Sequence, residues 1–324
     1  MRPTALALLL TLGLAGCGGS GSGTSSSVSY PSAGDYAELR VSNDNASSLY
    51  SGTTTALADD TTNTPGVSSD AFTHRPTTAL NALSQVTELY PTFTTRALQR
   101  VSTRQTSACA GGGSMTVTGT GQLTTAGDTL SVTFANCVTA GSTVNGGFSM
   151  TNVSSSSTTG AIRLVFDNLL TTDASQSVYV DGDLSTEVTS TGSTAIVTQT
   201  STRLNVKDSL TGDTVMTNLV IRGELDTGGA SRLSMAYTLA SDAINGRITV
   251  STPTQLAFDA NQTYPSTGQL RITGEAGSYV EFDANTGDVS TVQVTVSSTS
   301  GTTANTVSWS SLGGQTLTGV VDFS

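Results

Sequence analysis

Apolar and polar residues alternate with a period of two along most of the chain beyond about residue 113. The segment from Val178 to Val188 is the clearest case. Its even-numbered positions hold Val, Val, Gly, Leu, Thr and Val, whereas its odd-numbered positions hold Tyr, Asp, Asp, Ser and Glu. Because successive residues of a strand point to opposite faces, this pattern predicts a β-strand with one buried and one wet face.

Glycine recurs among the apolar positions of many of these predicted strands. Glycine weakens a strand interior, so its recurrence needs a physical reason. One reason is curvature of the sheet, and another is clearance for a helix or ligand packed on it. The glycines predicted to line a concave face are Gly146, Gly182, Gly223, Gly246 and Gly274.

Turn-forming sequences separate the predicted strands, and no helix-length segment intervenes between residues 113 and 324. Parallel strands need long crossover connections, so strands that are neighbours in sequence are expected to pair antiparallel. The predicted fold class is therefore mainly β, with a large antiparallel meander of about 14–15 strands over residues 113–324. The glycines favour a sheet that curls into a partial or closed barrel.

Residues 35–112 lack this alternation and are predicted to form a helical preface with loops. Within residues 77–103, apolar side chains that include Leu83, Tyr90 and Phe93 recur at intervals of three and four. Pro91, which lies among them, would kink one helix or begin a second. The apolar stripe is expected to pack on the glycine-lined face.

The N-terminus predicts a membrane attachment. Residues 1–17 combine a basic start at Arg2, an apolar stretch too short to span a bilayer, and the sequence LAGC at residues 14–17. This sequence resembles the lipobox of bacterial lipoproteins. The resemblance implies that residues 1–16 are a signal peptide, that cleavage occurs before Cys17, and that lipid is attached to its sulfur and new amino group.

Residues 17–34 are then the lipidated cysteine and a Gly/Ser-rich tether. In Gram-negative lipoproteins an Asp after the cysteine often signals retention in the inner membrane, and here Gly18 and Gly19 follow it. The resemblance therefore implies a lipid anchor in the bacterial outer membrane, on its periplasmic or surface side. The alternative is an ordinary secretory signal in which Cys17 occurs by chance.

Cys109 and Cys137 are the remaining cysteines. In an oxidising compartment a disulfide between them is the default expectation. Closing a loop of about 29 residues would add about 3.5 kcal/mol of stability in the chain-entropy model. A metal pair or a reactive thiol is the alternative, although the single His74 cannot complete a four-ligand zinc site.

Composition narrows the classes of function. The net charge is −11 and Lys207 is the only lysine, so nucleic acid is not an expected partner. A Ser-His-Asp triad would have to use His74, which lies in a predicted loop. Asp181 and Asp183 share the wet face of one predicted strand, where both would be solvated. We predict no enzyme activity, no cofactor and no metal site.

Residues 264–312 resemble a C-terminal module of uncharacterised bacterial lipoproteins. That module has a glycine-flanked strand, a hairpin, an Asp/Gly-rich turn and a Trp near its end, and Trp309 matches the last element. The turn corresponds to residues 297–301, which contain no Asp. The resemblance implies no known activity.

Two hypotheses of function follow. In the first, the chain is an outer-membrane-anchored envelope lipoprotein with a non-enzymatic structural or protein-interaction role, and its partner is an envelope protein. In the second, it is a binding module that holds an apolar or glycan ligand on the concave face of the sheet. The filling of that face distinguishes them, because a ligand needs an open cavity.

Overall fold

The computed structural model of the chain describes residues 28–42, 45–46, 49, 104–120, 123, 125–139, 142–210, 212–242, 244–260 and 262–312. Fourteen strands dominate this part of the chain. They are β1 (Gln105–Ala108), β2 (Ser114–Gly119), β3 (Thr129–Thr139), β4 (Ser142–Ser155), β5 (Thr159–Thr172), β6 (Ser177–Thr191), β7 (Thr194–Asp208), β8 (Gly212–Asp226), β9 (Ser231–Ser241), β10 (Gly246–Phe258), β11 (Thr267–Thr273), β12 (Tyr279–Asp283), β13 (Thr291–Ser298) and β14 (Gly301–Ser308). Short 3-10 helices form at Ala33–Asp35, Glu275–Gly277 and Trp309–Leu312.

The strands form one sheet in which order in space follows order in sequence. Every neighbouring pair is antiparallel. Among the described strands, β1 and β14 end the sheet without pairing with each other, so the sheet is not closed. The structure confirms the prediction of a mainly β antiparallel meander. Of the two predicted alternatives, the sheet is a partial barrel and not a closed one.

One face of the sheet carries the apolar core. Its members from the strands are almost completely buried, and the largest include Leu130, Leu169, Tyr237, Ile248, Leu256, Leu270, Ile272 and Phe282. Val41, Ala46 and Leu49 from the N-terminal part of the chain belong to the same cluster. Full burial of such side chains is worth about 1.5–3 kcal/mol each, which ties the N-terminal residues to the sheet.

Asparagines at bulges bend this sheet. Asn136, Asn168 and Asn218 have φ angles of 48°, 46° and 54°, and each lies where the register with a neighbouring strand shifts. Asparagine tolerates this left-handed conformation better than most residues. Each bulge also changes which positions face the core: in β8, Met216 is a core residue before the bulge and Ile221 is one after it.

Only the two ends of the predicted preface, residues 35–112, lie largely within the described residues. Glu38 forms an isolated parallel bridge with Arg247, and β1 occupies residues 105–108. Its sequence QTSA has no apolar alternation, so the periodicity did not reveal it. The predicted helix at 77–103, with Leu83, Tyr90 and Phe93, lies outside the described residues.

The predicted disulfide is confirmed. Cys109 follows β1 and is bonded to Cys137 in β3, with a Cα–Cα distance of 5.3 Å. The bond fastens the short first strand to the third. Within the described residues, no helix has the length and hydropathy needed to cross a bilayer.

Candidate functional site

An N-terminal segment is held on the sheet by a network of hydrogen bonds. Residues 28–41, which we call the strap, begin on the face of the sheet opposite the core and end on the core side, where Val41 is buried. Beneath the strap runs a row of register partners, one from each of β6 to β10. The row consists of Asp181, Asn205, Val215, Ala240 and Arg247.

Burial shows that the strap covers this row. Val215 and Ala240 are 0% exposed, yet neither belongs to the main core cluster. Val215 adjoins the core residue Met216, and adjacent residues of a regular strand point to opposite faces. The 3-10 helix Ala33–Asp35 contacts β8 and β9, the two strands that carry these residues. The strap therefore gives the outer face a small buried core of its own.

Arg203 on β7 binds the strap backbone. Its Nη2 donates to the carbonyl oxygen of Pro31 over 2.9 Å, and its Nε donates to Oδ1 of Asn205 over 2.8 Å. Asn205 is only 2% exposed, and its Nδ2 donates in turn to Oδ1 of Asp181 over 3.5 Å. Hydrogen bonds from a charged donor are stronger than neutral ones, so Arg203 is a principal attachment point.

Tyr36 supplies a second attachment. Its hydroxyl donates to Oδ1 of Asp242 over 3.1 Å, while Oδ2 of Asp242 accepts the backbone N–H of Asp213 over 2.7 Å. Burial, and after it the charge of Asp242, raise the pKa of Tyr36 above its ordinary value of 10.0. The phenol therefore keeps its proton, and with it the hydrogen bond to Asp242, into alkaline solution.

Tyr30 lies at the N-terminal end of the strap. Its hydroxyl is buried and has no hydrogen-bond partner among the described residues. Burial, followed by the charge of Asp181, raises its pKa above the ordinary value. Tyr30 therefore contributes through the packing of its ring, because its buried hydroxyl lacks the compensation that a hydrogen bond would give.

The far end of the strap fills a gap in the sheet. β10 begins at Gly246, but its pairing with β11 begins only at Thr249. In that gap the N–H of Arg247 donates to the carbonyl of Ala37, and the N–H of Leu39 donates to the carbonyl of Arg247, both over 2.8 Å. The strap thus adds a one-bridge parallel strand at an otherwise open edge.

Two of the glycines predicted to face a packed element adjoin the strap. A Cβ at Gly246 would lie 3.2 Å from the Cβ of Leu39, and a Cβ at Gly274 would collide with the Leu39 carbonyl oxygen. That oxygen accepts the N–H of Glu275 over 2.8 Å, so the close approach is a bonded one. At these positions glycine provides clearance for the strap to pass toward buried Val41.

The other predicted glycines have different surroundings. Gly146 and Gly182 lie at irregularities of the ladder with φ angles of 79° and 125°, where a side chain would meet the carbonyl oxygens of Asn168 and Arg203. Gly223 is buried in β8 between regular partners. The repeated glycines therefore have two roles. Gly146 and Gly182 allow bulges in the ladders of β4 and β6, and Gly246 and Gly274 leave room for the strap near β10 and β11.

Residues 28–34, which fall within the predicted tether at 17–34, belong to the strap. Cys17 itself lies outside the described residues. The sequence did not predict that Tyr30, Pro31 and Tyr36 would be bound to the sheet, or that Arg203 would hold them there. The available signal was an aromatic residue and a proline at 30–31, which interrupt an otherwise Gly/Ser-rich stretch.

The described residues contain no group of three or more His, Cys, Asp or Glu side chains placed to hold a metal ion. Residues 284–290 connect β12 to β13, and Oδ1 of Asp283 accepts the N–H of Asn285 there over 2.9 Å. Burial raises the pKa of Asp283, but hydrogen bonds from Gln269 and Asn285 outweigh it and hold the pKa below its ordinary range. His74 lies outside the described residues.

Residues 264–312 include β11 to β14, and aromatic residues near the two ends of this segment meet. The rings of Tyr264 and Trp309 stack with centroids 5.9 Å apart and planes 7° from parallel. Comparison of the whole chain with models of protein families, with curated proteins and with solved structures finds no match.

Proposed function

We propose that this chain is an envelope lipoprotein, anchored to the bacterial outer membrane through lipid on Cys17, with a non-enzymatic structural or protein-interaction role. The observation that carries the proposal is the strap. A segment that begins eleven residues after the candidate lipidation site is hydrogen-bonded to β7, to Asp242 just after β9, and to β10. A lipid at Cys17 would therefore be coupled firmly to the folded domain.

The length of the tether supports this role. Ten residues separate Cys17 from the strap, and the eleven Cα–Cα steps span at most about 36–40 Å when extended and about 17–20 Å on average as a flexible chain. Such a tether keeps the domain close to the membrane. Because the strap lies on the polar face, the tether leaves from that face rather than from the core face.

The disulfide and the core face also support the proposal. A disulfide between Cys109 and Cys137 is expected in the periplasm or at the cell surface, where cysteines are oxidised. The core-face side chains are almost fully buried, and Val41, Ala46 and Leu49 pack among them. A packed face favours a structural or protein-contacting role over a cavity that holds a ligand.

Fractionation of cells tests the anchor. The Cys17→Ser variant should move from the membrane fraction to the soluble periplasmic fraction, because serine cannot carry the thioether-linked lipid. Ser20→Ala, a substitution in the same tether, should remain in the membrane fraction. A Cys17→Ser protein that stays with the membranes would contradict the proposal.

Photo-crosslinking tests the interaction role. A photoreactive residue in place of Glu187, which is exposed on the polar face of β6, should capture a discrete envelope protein in intact cells. The same residue in place of the buried Val180 on the opposite face of β6 is the matched control and should capture none. Equal capture from both positions would indicate non-specific labelling and would count against the interaction role.

A further inference from the structure

β6 lies between two strands that each carry an extra residue. The register of β5 with β6 shifts between Phe166 and Leu169, and that of β7 with β6 shifts between Thr200 and Leu204. Gly182 of β6 pairs with a residue at the border of each shift, Phe166 on one side and Leu204 on the other. In a bulge the extra residue has no ladder partner, so its backbone N–H needs another acceptor.

The side chains on either side of Gly182 accept backbone N–H groups from the two bulges. Oδ2 of Asp181 accepts the N–H of Asn168 in β5, and Oδ1 of Asp183 accepts the N–H of Arg203 in β7, each over 3.4 Å. Gly182 completes the fit, because a Cβ there would collide with the carbonyl oxygen of Arg203. The sequence predicted that both carboxylates would be solvated, yet the Asp183 side chain is only 17% exposed.

The strap is bonded to the same group of residues through Arg203. The guanidinium of Arg203 donates both to the carbonyl of Pro31 in the strap and to Oδ1 of Asn205. The Asn205 side chain is buried, and a buried amide that loses a hydrogen-bond partner is costly. Arg203 therefore fixes this amide with its Oδ1 toward the guanidinium and its Nδ2 toward Asp181.

We propose that the strap and the bulges of β5 and β7 form one coupled unit, in which residues 181–183 transmit the state of the strap to the strands on both sides of β6. With the strap in place, Arg203 holds Asn205, and Asn205 holds Asp181 against the N–H of Asn168. Without the strap, the guanidinium is held at one end only, water reaches the amide, and Asp181 is free to turn away from β5.

The coupling gives the strap an influence on the shape of the sheet. Bulges set the local bend and twist of the strands that carry them, so loosening both bulges changes the bend between β5 and β7. Coupling between two sites is reciprocal, so a change of that bend also alters how firmly the strap is bound. The inference goes beyond a role in anchoring and does not depend on the lipid, because every contact in it joins described residues.

Residue-resolved amide hydrogen exchange in the purified full chain tests the coupling. Deletion of residues 28–34 removes the Pro31 carbonyl and should accelerate exchange at the N–H of Asn168 by about tenfold or more. Arg203→Met keeps the strap but removes the guanidinium that binds it, and should give the same acceleration. Arg222→Met, the matched control, removes an equal charge from β8, where Arg222 pairs with Glu224. It should leave the rate at Asn168 within about twofold of the native rate.

Two other irregularities of the sheet provide internal references. The N–H of Asn136 in β3 is accepted by Oδ1 of Asn145 over 2.8 Å, and the N–H of Met235 in β9 by Oγ1 of Thr252 over 2.9 Å. Both lie two or more strands away from β7, so the rate at Asn168 relative to these two groups separates local release from a general loss of stability. Acceleration in Arg203→Met but not in the deletion would confine the effect to β7 and overturn the proposal. An unchanged relative rate at Asn168 in both variants would overturn it as well.

Discussion

At the scale of single residues, two tyrosines of the strap should respond differently to loss of their hydroxyl groups. Tyr36→Phe removes a hydrogen bond to Asp242, so the free energy of unfolding should fall by about 1 kcal/mol. Tyr30→Phe removes a buried hydroxyl that lacks a partner in the described residues, so stability should be unchanged or slightly higher. Denaturant melts of the two variants provide the comparison. Equal losses would mean that the Tyr36 bond does not hold the strap.

The same residues predict a loss of stability in alkaline solution. The pKa values of Tyr30 and Tyr36 are raised above 10.0 in the fold, first of all by burial. Their contribution is therefore complete below pH 10 and is lost above it, because the unfolded chain releases its phenolic protons before the folded one does. Unfolding measured between pH 8 and 12 should show a steeper decline for the native chain than for the double variant Tyr30→Phe/Tyr36→Phe. Superimposable profiles would exclude the two tyrosines as the cause. The fully buried Tyr237, whose pKa burial also raises, remains in both proteins.

At the scale of elements, a substitution next to the end of β11 can weaken the attachment of the strap to the sheet. Gly274 has a φ of −128°, outside the left-handed region, and Gly274→Ala acts through the collision of its Cβ with the Leu39 carbonyl. The expected cost is about 1–3 kcal/mol. Trypsin should also cleave faster after Arg40, which is exposed on the strap.

Gly160→Ala is the matched control for this substitution. Gly160 lies in β5, and a Cβ there has no neighbour within 4 Å. Stability should stay within about 0.5 kcal/mol of the native value, and cleavage after Arg40 should be unchanged. If the two alanine variants behave alike, the clearance explanation for Gly274 is wrong.

The elements differ in how well the sequence predicts them, and the reason is the range of the interactions involved. β6 is evident because burial of one face imposes a local period of two from Val178 onward. The strap has no such signature, since Tyr36 and Asp242 are 206 residues apart in sequence. The bulge at Asn168 is also not evident from the sequence. Apolar residues continue on both sides of it, and only the face of the sheet to which they point is affected.

At the scale of the whole molecule, the sheet order, the strap and the disulfide hold different parts of a long chain together. The sheet is built from neighbours in sequence, whereas the strap connects residues near 30–40 with β7 to β10. A pull on the N-terminus would thus be shared among several strands instead of peeling one terminal strand from the sheet. This distribution of load suits a domain that is held at a membrane by its N-terminus.

The lipid anchor is the central claim of this account, and mass spectrometry of the N-terminal peptide from purified membranes tests it most directly. We predict that the peptide begins at Cys17 and carries the added mass of a diacylglyceryl group and an amide-linked acyl chain. An unmodified Cys17, or a membrane-associated protein that retains residues 1–16, would contradict the account.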